Sequence, residues 1–421
     1  MPIKNNIPFL LLLLLPFFYT TGNAQGEISS PYSGFGPGVL SNTVNGTMAS
    51  MGGLSYALQS PYFINYKNPA SYVAFDSLSF IADASLSITS STLKTSLLTQ
   101  KGSNARPNYL MIGLPVNRYW RTSAGVLPFS DVGYKIHDVR ENVSFSYDGS
   151  GGLMQLYWGN AFKIYKGLSI GLNISYMFGN LKSIRSSEFT DANFYNTRIT
   201  QSLLVDGIYL SGGIQYFHTI GQNHKIGVGV VYENSAYIWE KENLLINRYM
   251  GVYNSSSVYD TVKYVDGARG RMIIPQSIGG GFTYTFKNKF LIGADITWQN
   301  WAKFQSMGRK DSLKNCLIGS VGIRFTPNPN SNKYLNRINL HAGARYSSGY
   351  LHLNNQTISE FGVTFGIGLP IRTFSSQSTI HIMAEYGQMG TTRNELILQN
   401  YFKLSFSFIL HEKWYQRVRL E

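Results

Sequence analysis

The sequence predicts an all-β fold: a transmembrane antiparallel β-barrel of about fourteen strands. Three observations carry this. Apolar residues alternate with small or polar ones over runs of about ten residues, as in Leu168, Ile170, Leu172, Ile174, Tyr176 and Phe178 against Ser169, Gly171, Asn173, Ser175 and Met177. Long and short gaps between these runs alternate along the chain. Aromatic residues make up 14% of the chain, as do Asp, Glu, Lys and Arg together, where an ordinary soluble protein has roughly 25% of its residues charged.

The start of the chain gives the compartment. Lys4 precedes an apolar run from Ile7 to Phe18, and Gly22 and Ala24 supply the small residues of a cleavage site. Residues 1–24 are therefore expected to be a signal peptide, since the run is too short and too proline-interrupted to anchor the chain. Elsewhere no apolar run reaches the ~20 residues that a spanning helix needs. The one cysteine, Cys316, leaves no intrachain disulfide framework.

Residues 25–76 read differently. They are rich in Gly, Ser, Asn and Pro and have no period of two, yet Tyr32, Phe35, Met48, Met51, Phe63 and Ile64 make them too apolar for a linker. Such a segment is ordered only when something else encloses it.

From Ser77 strands are predicted at 77–89, 107–116, 119–130, 152–163, 168–178, 201–219, 226–240, 272–286, 289–299, 316–326, 337–346, 358–369, 379–386 and 400–410. The short gaps include Asn117-Arg118 and Lys287-Asn288; the long ones include 131–151 and 241–271. A membrane strand tilted by ~45° needs ~9–11 residues, which these runs match. Closure satisfies the backbone groups that lipid cannot. Tyr109, Tyr119, Trp120, Trp158, Trp298, Trp301 and Tyr346 fall near strand ends, where interfacial girdles are expected. An even strand count puts both ends of residues 77–410 on the periplasmic side, with 411–421 as a periplasmic tail in the bacterial outer membrane.

Catalysis and cofactors find no foothold. Gly167–Gly171 matches G-x-S-x-G, but Ser169 lies within an alternating strand and not at a strand-to-helix turn. The seven histidines show no close metal-ligand pairing, and no phosphate loop or dinucleotide fingerprint is complete. No enzyme activity, metal or cofactor is expected. The net charge of +14 is scattered, which argues against nucleic acid and for attraction to an anionic lipid surface.

Two groups of residues resemble a known family. Ala49-Ser50-Met51-Gly52-Gly53 followed by Asn68-Pro69-Ala70, and Ile274-Pro275-Gln276-Ser277-Ile278-Gly279 followed by Asp295 to Phe304, are similar to elements of the FadL-type outer-membrane transporters. Ala302 stands where that family's Trp-Ser-x-Phe element has Ser, and the chain runs on past its last strand. The resemblance implies a hatch formed by residues 25–76 inside the lumen and an inward kink in the third strand that opens the wall sideways. It implies passive uptake of hydrophobic compounds such as long-chain fatty acids, with Phe35, Met48, Met51, Phe63 and Ile64 lining the pocket. Gly125 and Pro128 mark the kink, because proline within a sheet is confined to edges, ends or bulges. The implied partners are hydrophobic small molecules, outer-membrane lipids including lipopolysaccharide, and the barrel assembly machinery during biogenesis. The alternative reading is a non-transporting barrel of the same kind that serves a protein secretion or surface-attachment machine.

Overall fold

The computed structural model describes residues 30–251, 253, 258–372 and 377–413. The expected signal peptide and most of the expected tail lie outside these residues. The chain forms one closed antiparallel barrel of fourteen strands. They are β1 (Ser79–Lys94), β2 (Thr99–Pro115), β3 (Trp120–Arg140), β4 (Val143–Tyr165), β5 (Leu168–Phe189) and β6 (Asn196–Ile220). Next come β7 (His224–Glu233 and Ala236–Tyr249), β8 (Val258–Ile274 and Ser277–Phe286), β9 (Phe290–Gln299) and β10 (Cys316–Phe325). The last four are β11 (Asn339–Ser347), β12 (Glu360–Arg372), β13 (Gln377–Met389) and β14 (Leu398–Lys413). Pairing of β1 with β14, from Ser79↔Lys413 to Lys94↔Leu398, closes the ring.

Each strand sorts its side chains by parity. On β5, Ile170, Leu172, Ile174, Tyr176 and Phe178 face outward and are exposed, whereas Ser169, Asn173, Ser175 and Met177 are buried. This is a soluble core turned inside out: the apolar row faces lipid and the small polar row faces inward. Tyr119, Trp158, Trp298 and Tyr346 stand exposed. Tyr109 and Trp301 depart from the girdle expectation: Tyr109, 4% exposed, points inward by strand parity, and Trp301, 3% exposed, lies in a 3-10 turn after β9 and packs on Phe304 and Tyr350.

The long gaps of the sequence are mostly strand. β3 and β4 run on to a tight hairpin at Arg140↔Val143, and β5 and β6 pair as far as Ser187↔Thr197. Above the apolar belt both faces meet water, so pairing continues where the alternation of apolar residues fades. The last strand likewise continues through Lys413, past the expected boundary at 410. β7 and β8 each break once, at 234–235 and at 275–276, where Pro275 interrupts the ladder. Their lower limbs pair with each other over ten positions, and so do their upper limbs from Val258↔Tyr249 to Ile274↔Ala236. The β8–β9 turn places Lys287 and Asn288 at φ of 50° and 54°, the left-handed pair of a tight hairpin.

Residues 30–76 contact strands all around this ring. A short strand, Val39–Leu40, pairs with Asp131 and Ser130 of β3. Helix α1 (Gly46–Ala49) is capped by Asn45, whose side chain accepts from the Thr47 amide. Inward glycines let this segment press against the wall: a Cβ on Gly229 would collide with the Tyr56 carbonyl, and one on Gly343 with the backbone at Met51.

Candidate functional site

The site is built where residues 30–76 meet the wall. Asp295 on β9 accepts from the amides of Ser55 (2.6 Å) and Tyr56 (2.9 Å). Asn45 donates to the buried Asp83 of β1, and the Gly46 amide donates to the Tyr109 hydroxyl of β2 at 3.0 Å. The Gly52 amide donates to Thr364 of β12 (2.9 Å), and Gln215 of β6 donates to the Tyr56 carbonyl (2.8 Å). Burial pushes the phenols of Tyr56, Tyr66 and Tyr72 up, which keeps them neutral donors. Tyr66 donates to Gln155 and Tyr72 to Asn173.

The wall is interrupted at one level. The β2–β3 ladder runs from Pro115↔Arg121 to Leu110↔Val126 and stops, although both strands continue. Gly125 remains paired, opposite Met111. Pro128 sits just beyond the last pair, beside a bulge that leaves Phe129 without a partner on β4. Pro107, within β2, stands on the facing edge. Pro128 pairs with Met154, and Met154 with Phe178, the last apolar residue of the outward row on β5. The gap thus begins at the outer rim of the apolar belt. Arg106 of β2 and Asp131 of β3 bridge it with a 2.7 Å ion pair.

Residues 30–43 lie along the β3 edge of this gap. The Ser30 amide donates to the Gly133 carbonyl (3.0 Å), the Ser41 amide to Phe129 (2.9 Å) and the Thr43 hydroxyl to Pro128 (3.2 Å). Behind them is a cavity of about 180 Å³ bordered by Leu40, Val44, Pro128, Ser87, Lys403 and a charge cluster. In that cluster Arg345 donates to Glu360 (2.7 Å), Glu385 (3.0 Å) and the Tyr401 hydroxyl (2.8 Å), and the Tyr401 hydroxyl, with one proton to give, lies 2.7 Å from Glu360 and 3.1 Å from Glu385. Hydroxyls and charges share this lining with hydrocarbon from Leu40, Val44, Met383 and Met389.

The expected pocket residues are dispersed. Met48, Met51 and Ile64 are fully buried in a packed cluster with Leu54, Tyr72 and Phe75 and border none of the three cavities around the segment. Phe63 borders a cavity of about 410 Å³ at the short-turn end, and Phe35 is 37% exposed. The sequence reading missed Arg106, Asp131, Arg345, Glu360 and Glu385. An inward charge on an alternating strand is the signal that could have found them.

The model of one family, BamG, matches residues 3–421. The chain belongs to the BamG family. No curated protein matches it. Its fold is similar to three solved barrels. A FadL homologue of Pseudomonas aeruginosa has a TM-score of 0.57 at 12% identity, over 90% of this chain and 100% of that one. The toluene transporter TodX of Pseudomonas putida gives 0.58 at 15% identity, over 89% and 99%. The toluene transporter TbuX of Ralstonia pickettii gives 0.56 at 11%, over 91% and 99%. This BamG-family chain therefore has a FadL-like fold. Among the described residues no helix is long and apolar enough to cross a membrane, and no group of three His, Cys, Asp or Glu is placed to hold a metal.

Proposed function

We propose that this chain is an outer-membrane channel for passive uptake of hydrophobic compounds such as long-chain fatty acids, with residues 25–76 as its hatch and lateral release through the wall. The observation that carries the reading is the end of the β2–β3 ladder at Leu110↔Val126, with a proline on each continuing edge. Neither proline has an N–H to donate, so the facing edges resist re-pairing. A compound leaving water gains ~0.8 kcal/mol for each CH₂ buried, which drives uptake without energy input. Release requires residues 30–43 to leave the β3 edge, and the Arg106–Asp131 pair to part. Phe63 and Phe35 are the hatch side chains placed to meet a ligand; Met48, Met51 and Ile64 hold the hatch together.

A second reading is favoured by a specific observation. The packed cluster around Met48, Met51 and Ile64 and the partly polar outer cavity suit a barrel that does not transport and instead serves a protein secretion or surface-attachment machine. Deleting the gene and measuring uptake of labelled fatty acids and alkanes separates the two. Uptake is expected to fall, and to return with the wild-type gene. Unchanged uptake together with fewer exported proteins at the cell surface would establish the second reading.

A further inference from the structure

The cavity of about 410 Å³ at the short-turn end has a lining that neither reading uses. Lys225 of β7, Arg324 of β10, Arg337 of the β10–β11 connection, His341 of β11 and His381 of β13 all border it. No Asp or Glu is among its described lining residues. Among the described residues, no carboxylate lies within 4.0 Å of Lys225, Arg324 or Arg337. Two of them sit near aromatic rings: Lys225 stands 4.5 Å from the Phe217 ring and Arg337 5.5 Å from that of Tyr334.

The histidines are the second observation. His341 is 5% exposed and His381 3%, and their rings lie 5.7 Å apart. Neither nitrogen of His341, nor Nδ1 of His381, makes a hydrogen bond of ordinary geometry; Nε2 of His381 meets the Thr47 hydroxyl at 3.1 Å. Nε of Arg324 and Nε of Arg337 are likewise buried without a partner. Buried polar groups are normally satisfied, and one left unmade costs ~1–3 kcal/mol, so polar nitrogens grouped around one space suit an occupant that brings acceptor oxygens.

We propose that this cavity binds a small polyanion through phosphate or carboxylate oxygens. Guanidinium groups present paired N–H donors that match such oxygens, and a lysine ammonium adds a point charge. The volume falls in the range of small-molecule sites, ~300–1,000 Å³. Short turns of outer-membrane barrels face the periplasm, so the ligand comes from that side. The site lies beneath the expected hatch: Thr47, Leu58, Pro61 and Phe63 form its roof. An anion held there also ties β7, β10, β11 and β13 to the segment above them.

The test is calorimetric titration of the purified full-length protein, in non-ionic detergent at low salt, with inorganic pyrophosphate and separately with citrate. Saturable one-to-one binding of at least one anion is expected. Pyrophosphate alone would identify phosphate chemistry, citrate alone carboxylate chemistry, and either result supports the site. R324Q and R337Q are each expected to weaken binding at least tenfold, while K182Q, on the far side of the belt, leaves it unchanged. Arg337 lies outside the ladder, so R337Q keeps the barrel even where R324Q does not; heat-modifiable gel mobility reports this. No saturable heat from the wild-type protein with either anion overturns the proposal. So does an R337Q barrel with shifted mobility that binds as tightly as wild type.

Discussion

The two larger cavities lie at opposite ends of residues 30–76 and handle charge in opposite ways. At the outer end Arg345 is matched by Glu360, Glu385 and Tyr401, and Arg106 by Asp131. At the turn end Lys225, Arg324 and Arg337 have no carboxylate partner among the described residues. The outer charges thus complete one another within the fold, and removing one exposes its partners. The inner cations complete nothing within the described chain. The same residue type, an inward arginine on a barrel strand, is a structural tie at one end and a ligand-binding group at the other.

Arginine replacement breaks this comparison most sharply. Arg345→Met leaves the Glu385 carboxylate, whose side chain is 6% exposed, without its ion-paired cation, with Lys403 opposite it on β14 as the positive charge that remains. Breaking a buried pair costs about 3–5 kcal/mol, and the partial exposure of Glu360 at 26% places the expected loss near the lower figure. Arg324→Met removes a cation with no partner to strand, so stability is expected to hold or rise by up to about 1 kcal/mol. Urea unfolding in lipid vesicles reads both. Equal losses in the two variants would mean that the cavities do not differ in the way their charges suggest.

Asp295→Ala tests the boundary between the two ends. Its carboxylate accepts from two amides of residues 30–76, and hydrogen bonds to a charged group contribute about 1.5–3 kcal/mol each. The two bonds share one oxygen, so a total loss of about 2–3 kcal/mol is expected. Limited proteolysis should then cleave near Ser55–Leu58, which the wild-type barrel protects. An uncut Asp295→Ala protein would show that wall glycines and packing alone hold this stretch.

The barrel is legible in the sequence because lipid imposes a strict rule: each residue of a spanning strand faces either hydrocarbon or the interior. That rule writes period-two alternation into Leu168–Phe178 and its counterparts. Above the belt the rule lapses, so the outer parts of β3, β4, β5 and β6 read as loops although they pair without a break to Arg140↔Val143 and Ser187↔Thr197. Residues 25–76 stand out by composition, since they are too apolar for solvent and lack any period. The charged sites are legible only as single inward charges, not as clusters. Arg324, His341 and His381 come from three strands, and only the register Arg324↔His341 and the closeness of β13 bring them together. Met48 and Met51 show the converse: an apolar residue in a segment without a period reads the same whether it packs or lines a pocket.

The smallest expected effect belongs to Pro128, and it bears on the outer end alone. Its carbonyl accepts from the Thr43 hydroxyl, so it faces the gap. In extended backbone the nitrogen and carbonyl of one residue point to the same side, which places the absent N–H at the gap as well. The ladder to β4 therefore loses nothing to the proline, and edge positions are where sheets tolerate it. Pro128→Val restores an N–H at an edge already lined by residues 41–43, so stability is expected to move by less than about 0.5 kcal/mol. The informative readout is hydrogen exchange at Ser41 and Val126. Slower exchange there, with unchanged unfolding, would show that the new N–H ties residues 41–43 to the β3 edge and that the proline had kept this edge free to open. A stability loss of 2 kcal/mol or more would instead assign Pro128 the task of holding the bulge at Phe129 rigid, and the gap would then be a by-product of that bend.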